Sequence, residues 1–250
     1  MTTADPSSPA LEARPSPAWR WLGRISYEQG LALHDEIVRD HSGHGDTILL
    51  LEHEPVYTTG RGGNPSNLPD AGRADGIPVF RVGRGGDATY HGPGQLVGYP
   101  ILDLRARGGD VHRYLRDLES VLLDTLSDLG VQGFVEPGRT GVWVDPDDPR
   151  KIASIGIGVR RGISCHGFAL NVSLDLAPFD AIVPCAIAGV RMTTIERERL
   201  GSAPGVRAVA DIVAARCLAR FTLPRRDTCD DDASRVAHGA DRGKSCKNGA

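Results

Sequence analysis

The chain has 250 residues, 40% hydrophobic and 24% charged, with a formal net charge of −3. That length suits one domain of ordinary size with an extension at either end, and neither the net charge nor any Lys/Arg-rich stripe points to a nucleic-acid surface. No apolar run approaches the ~20 residues that span a bilayer, and the N-terminal MTTADPSSPALEARPSPAW lacks the charged start and apolar stretch of a secretory signal.

The ordered region is expected over residues 19–223, between a disordered leader (1–18) and a disordered tail (224–250) of mixed charge and almost no apolar periodicity. Ser26 with Gln29 forms a capping box, which predicts a helix to about Asp40. TILLLEH (Thr47 to His53) is a short apolar run suited to a buried strand, and PVFRV (Pro78 to Val82) and QLVGYPILDL (Gln95 to Leu104) read as two more. From about Asp110 to Leu129 apolar residues recur at three-to-four spacing, which predicts a helix stopped by Gly130. Gly141 to Val144 and Lys151 to Arg160 flank the turn-rich DPDDPR as a hairpin, and a strand at about His166 to Ser173 follows. A long loop containing Cys185 precedes a last helix, from about Val206 to Arg220. Strands come in runs, so the fold class is α+β rather than a doubly wound sheet.

The densest chemical signal is the segment Arg84-Gly-Gly-Asp-Ala-Thr-Tyr-His-Gly-Pro-Gly-Gln95. Its glycines allow positive φ and a close approach of ligand or chain to the backbone, while Arg84 and His91 add polar function. It lacks the GxxxxGK[ST] order of a phosphate cradle, and no helix opens directly behind it. Lys151 is a second signal. Of the 29 basic residues 26 are arginines; the lysines are Lys151, Lys244 and Lys247, so Lys151 is the sole lysine of the expected folded body. An ammonium can release and regain a proton where a guanidinium cannot, which suits proton transfer; an edge lysine that guards a strand is the plain alternative. Downstream, Ser154 and Gly156 keep one strand face low, which would leave room for an acyl chain, and Gly167 and Ala169 make a second low face. Here His166 reads as a packed or a functional histidine, and Asn171 as a hydrogen-bonding group.

Five cysteines, Cys165, Cys185, Cys217, Cys229 and Cys246, are odd in number and show no CxxC spacing. They fit free thiols in a reducing cytoplasm better than a disulfide framework or a zinc site. Cys185 follows Pro184 in a loop, and a nucleophilic thiol needs exposure and a lowered pKa. An ammonium about 4 Å away at an effective dielectric of about 20 is worth roughly 4 kcal/mol, enough after halving for solvent to shift a thiol by more than ~1 unit. On local chemistry alone Cys185 reads more readily as a buried apolar cysteine.

RGGDATYHGPGQLVGYPILDL, KIASIGIGVRRG with HGFALNV, and FDAIVPCAIAG with MTT after it together resemble the lipoyl(octanoyl) transferases of protein lipoylation. The resemblance covers about residues 20 to 220, and RGG with TYHGPGQ carries most of its specificity. It implies the fold of lipoate- and biotin-protein ligases, a larger mixed sheet beside a smaller one, flanked by helices. It implies that Cys185 is the acyl-accepting nucleophile and that Lys151 lowers its pKa and shuttles the proton. Arg84, Gly85, Gly86, Asp87, Ala88, Thr89, Tyr90 and His91 would line the substrate site, with Ser154, Ile155 and Gly156 and with His166, Gly167, Phe168 and Ala169. The donor would be octanoyl-acyl carrier protein and the acceptors lysines of lipoyl domains and of the glycine cleavage H protein. A thioester donor is already activated, so neither ATP, metal nor other cofactor is implied. Ala186 departs from the glycine usual after the nucleophile, and Cys165 adds a second thiol beside the implied site. The default is a cytoplasmic monomer. The competing readings are an ATP-dependent lipoate or biotin ligase, a transferase between two lipoyl proteins, and a non-catalytic carrier-binding module.

Overall fold

The computed structural model describes residues 16–69, 76–184, 187, 189–200, 202 and 204–222. After strand β1 (Ala18–Ile25), the capping box forms as expected, with Ser26 Oγ accepting from the Gln29 amide and Gln29 Oε1 from the Ser26 amide. It starts α1 (Tyr27–Arg39), whose buried side carries Tyr27, Gly30, His34, Ile37 and Val38. The short α2 (His41–His44) leads to β2 (Thr47–His53), and then come β3 (Val56–Thr59), β4 (Val79–Arg81), β5 (Thr89–His91) and β6 (Gln95–Ile101). Asp110 caps α3 (Val111–Asp128) by accepting from the amides of His112 and Arg113. β7 (Gly133–Glu136), β8 (Arg139–Val144), β9 (Arg150–Arg160) and β10 (Ile163–Asn171) form a meander, followed by β11 (Arg191–Met192), α4 (Ile195–Glu198) and α5 (Val206–Thr222).

Eight strands build the larger sheet in the order β1-β2-β6-β10-β9-β8-β7, with β11 beside β9; β4-β3-β5 form the smaller one. Both sheets are mixed, since β1–β2, β9–β11 and β3–β4 are parallel pairs among antiparallel ones. The continuous apolar run of β2 follows from burial on both faces. Ile48 and Leu50 point to the core under α3 and α5, with Leu118, Leu122, Val209 and Val213. Leu49 and Leu51 point to the opposite core under α1, with Ile37, Val97, Tyr99 and Ala169. A third cluster, with Tyr57, Tyr90, Leu174 and Phe179, joins the smaller sheet to the segment after β10.

The helices and longer strands stand close to their predicted places, whereas β1, β3, β5, β7 and β11 carried no clear period of their own. In β1, Trp19 and Trp21 pack against the α5 side of the sheet, and the Arg207 guanidinium lies 5.6 and 5.7 Å from their ring centroids. The leader expected at residues 1–18 lies outside the described residues up to position 15, and β1 begins at Ala18. The tail expected at 224–250 lies wholly outside them. Among the described residues no helix is long and apolar enough to cross a membrane.

One buried arginine ties the end of α5 to the sheet. Arg107 pairs with Asp46 at 2.5 Å and donates to the Phe221 carbonyl at 3.0 Å, while Asp46 also accepts from the Asp103 amide at 2.8 Å. Removing one partner of such a pair leaves an uncompensated carboxylate, so Arg107→Leu is expected to cost about 3 kcal/mol, read from urea unfolding.

Candidate active site

The site begins with the pairing of β9 and β10. In register, Ser154 faces Ala169 and Gly156 faces Gly167, so the two low faces noted in the sequence fall opposite one another on adjacent strands. A Cβ at Gly156 would stand 3.0 Å from Arg84 Cδ, and one at Gly167 would stand 2.2 Å from the Gly98 carbonyl oxygen. The small residues thus leave a hollow on the α1 side and let β6 and the 84–91 loop close around it. The resulting cavity is lined by Ser154, Ile155 and Gly156, by His166, Gly167, Phe168 and Ala169, and by Arg84, Gly86, Asp87, Thr89 and His91. Tyr27, Val97 and Tyr99 complete it.

Gly85, Ala88 and Tyr90, grouped with these residues in the sequence, do not line it. Strand alternation in β5 sends Thr89 and His91 inward and Tyr90 outward, where Tyr90 and Ala88 join the third apolar cluster. Gly85 instead fastens the loop to β9, its amide donating to the Ile157 carbonyl at 2.8 Å. Asp87 holds the preceding loop as well as facing the cavity. Its carboxylate accepts from the Asn64 amide at 3.1 Å, from Asn67 Nδ2 at 2.9 Å and from the Ala88 amide at 2.6 Å. The buried Arg84 donates to the Thr58 carbonyl and hydroxyl at 2.9 and 2.8 Å.

Four histidines sit buried at or beneath this cavity: His34, His53, His91 and His166. Burial, above all, lowers their pKa: to about 4 for His53, to about 3 for His91 and His166, and downward for His34. Each is therefore neutral, and in His34, His53 and His91 hydrogen bonds fix where the proton lies. His53 lies 3.3 Å from the Ile25 carbonyl through Nδ1 and 2.7 Å from the Tyr99 hydroxyl through Nε2, so Nδ1 donates and Nε2 accepts. His91 Nδ1 donates to Gln95 Oε1 at 2.7 Å, Gln95 Nε2 donates to Asn171 Oδ1 at 2.9 Å, and Asn171 Nδ2 donates to the Thr193 carbonyl at 2.9 Å. The Thr193 amide in turn donates to the Lys151 carbonyl at 2.9 Å. A buried polar chain thus runs from the cavity wall to the backbone of Lys151. Sequence reasoning named His91, His166 and Asn171 but missed Tyr27, His34, His53 and Tyr99. Tyr27 and His34, seven residues apart on the inner side of α1, were the available signal.

Lys151 is not among the cavity-lining residues, yet a bulge turns it toward that face. Val142 pairs with Ala153 and Trp143 with Lys151, so one step on β8 spans two on β9. Ile152 and Ala153 consequently both enter the core under α3 and α5, and the alternation is reset. Lys151 then shares its face with Ser154 rather than opposing it. Its side chain is 2% exposed, with Nζ 5.3 Å from the Trp143 ring centroid, and a Cβ at Gly141 would stand 2.8 Å from its Cε. It lies three residues before Ser154, about 10 Å along the strand.

Cys185 and Ala186 lie outside the described residues, as do Cys229 and Cys246. Pro184 is buried, and its carbonyl accepts from the Ile187 amide at 3.1 Å. Cys165 and Cys217 are buried, and burial raises both thiols, Cys217 to about 12; neither is poised as a nucleophile. Among the described residues no group of three or more His, Cys, Asp or Glu could hold a metal ion.

Residues 26–217 match the lipoyl protein ligase A/B catalytic domain. Octanoyltransferase of Geotalea uraniireducens is 46% identical over 218 residues, covering 84% of this chain and 96% of the relative. Octanoyltransferase of Geobacter sulfurreducens is 51% identical over 179 residues, 71% of this chain and 73% of that one. The chain is a member of the octanoyltransferase family. The fold of this family member is also that of a bipartite lipoate protein ligase from Thermoplasma acidophilum, at a TM-score of 0.62 and 16% identity, covering 84% of this chain and 83% of that one.

Neutral buried histidines make the family member's stability depend on pH. The folded pKa values lie below the unfolded value of about 6.5, so the unfolded chain binds more protons as pH falls through that interval. Stability is complete above about pH 7 and is lost on acidification toward pH 4, by up to ~1.4 kcal/mol per pH unit per histidine. His53→Gln, though less stable at pH 7, should flatten the dependence between pH 6 and 4.5 by about one proton, read from urea midpoints across that range.

Proposed function

We propose that the protein transfers an octanoyl group from octanoyl-acyl carrier protein to a lysine of lipoyl domains and of the glycine cleavage H protein, through a thioester on Cys185. The observation that carries this reading is the bulge at Ile152, which sets the one lysine among the described residues on the same face as a cavity walled by Ser154, Gly156, Gly167 and Ala169. Family membership supports acyl transfer as the reaction class.

In the first half-reaction the Cys185 thiolate attacks the donor's carbonyl carbon. A carbon–sulfur bond forms at Cys185, the bond to the carrier's thiol breaks, and the Lys151 ammonium gives its proton to the leaving thiolate. One thioester replaces another, so the exchange is nearly even in energy. In the second half-reaction the acceptor lysine attacks as a neutral amine, the bond to Cys185 breaks, and Lys151 accepts the amine's proton. One group must give and then take a proton, which an arginine does not do. The cavity walls receive the acyl chain: Val97, Tyr99 and Ala169 supply apolar surface, and the missing side chains at Gly156 and Gly167 supply room.

Purified protein mixed with octanoyl-acyl carrier protein, without ATP, should gain an octanoyl mass that is lost on hydroxylamine treatment and absent from Cys185→Ala. Transfer that appears only with free octanoate and ATP would make the protein a ligase and overturn the reading. Lys151→Arg keeps the positive charge but should lower turnover at least ~100-fold, within the usual range for a lost general acid–base. Cys165→Ala should retain activity within about twofold, since burial holds that thiol protonated.

A further inference from the structure

We propose that His166 forms the end wall of the acyl channel and sets the length of chain accepted, and that His34 is the positioning residue that holds it there. This rests on the acyl-transfer reading above. β9 and β10 run antiparallel along the cavity, from the Ser154–Ala169 level nearest Lys151 to the Ile157–His166 level at the other end. That is three residue steps, about 10 Å. The Lys151 side chain bridges the strand distance to that first level: a Cβ on Gly141, the residue beside the Val142–Ala153 pair, would stand 3.4 Å from its Nζ. With its carbonyl carbon at the Ser154–Ala169 level, an extended octanoyl chain measures about 9 Å to its methyl, taking ordinary carbon–carbon bonds. A chain that enters from the Lys151 side therefore passes Gly156 and Gly167 and ends at His166.

His166 does not stand there by default. It has φ +58° within a strand, a left-handed conformation uncommon for any residue but glycine. Its amide donates to His34 Nε2 at 2.9 Å, and the two imidazoles stack with centroids 4.9 Å apart and planes at 24°. Because a backbone amide only donates, Nε2 of His34 is the acceptor and its proton sits on Nδ1, 3.1 Å from the Asp35 carboxylate. Arg160 holds that carboxylate in turn, donating to the same oxygen at 2.9 Å. Three side chains thus maintain one strained backbone angle, as strain at a working site requires.

The wall refuses hydrocarbon by polarity as well as by bulk. His166 is 4% exposed, and its Nε2 finds no hydrogen-bond partner among the described residues. A ninth or tenth carbon would displace the imidazole or press against a buried polar atom.

Competition among hexanoyl-, octanoyl-, decanoyl- and dodecanoyl-acyl carrier proteins, read as product masses on a lipoyl domain, tests this. His166→Gly keeps the positive φ and removes the wall, and should raise the decanoyl-to-octanoyl ratio of kcat/KM at least tenfold. His34→Ala should raise the ratio in the same direction, whereas His34→Gln, whose amide oxygen can take the His166 amide, should return it toward the wild-type value. Variants that lose rate equally for every chain length, with the ratio unmoved, would mean a structural role only and overturn the inference. Wild-type protein that accepts none of these thioesters would overturn the acyl-transfer reading itself.

Discussion

The β9–β10 pairing is the constraint on which the rest depends. Two strands at the middle of a sheet buried on both faces would ordinarily present large side chains to either core. Here Ser154, Gly156, Gly167 and Ala169 leave one face bare over a short stretch. The hollow exists because backbone hydrogen bonds, rather than side chains, hold the strands there. The glycines also let neighbours close in, since the Gly98 backbone approaches Gly167 more closely than a methyl group would allow and the Arg84 side chain packs against Gly156. Cavity and closure come from the same substitutions.

Polar groups around the hollow are organised as chains rather than pairs. One runs from His91 through Gln95 and Asn171 to the backbone of Thr193 and Lys151; another from Arg160 through Asp35 and His34 to the backbone of His166. Both end on main-chain atoms, so their effect is to fix strand segments and thereby side-chain directions. Neutral imidazoles suit this task because each supplies one donor and one acceptor, and low polarity around them keeps that state.

Elements with a strong period or a cap were legible in the sequence: α1 from its capping box, β2 from its apolar run, α3 from its three-to-four spacing. The short strands β3, β5 and β11 were not, because two to four residues show no period, and β1 carries tryptophans and arginines that reveal a packed face only once α5 is in place. For the site, the RGGDATYHGPGQ segment and the small residues at 154, 156, 167 and 169 marked the right walls. Their mutual register could not be read, because it depends on the hairpin's pairing. Lys151 stood out by composition, yet plain alternation would have put it opposite Ser154; only the two-against-one pairing with β8 turns it round. Tyr27 and His34 were hidden on a helix face that otherwise looked like ordinary core.

Trp143 has a consequence for observing the molecule. The other two tryptophans, Trp19 and Trp21, are only partly buried beside Arg207, whereas Trp143 is 1% exposed with the Lys151 ammonium close to its ring. An indole's light emission responds to the polarity of its surroundings and to a nearby charge. The blue edge of the protein's fluorescence therefore arises mainly beside Lys151, and the chain carries its own optical reporter of changes around that lysine, with no added label.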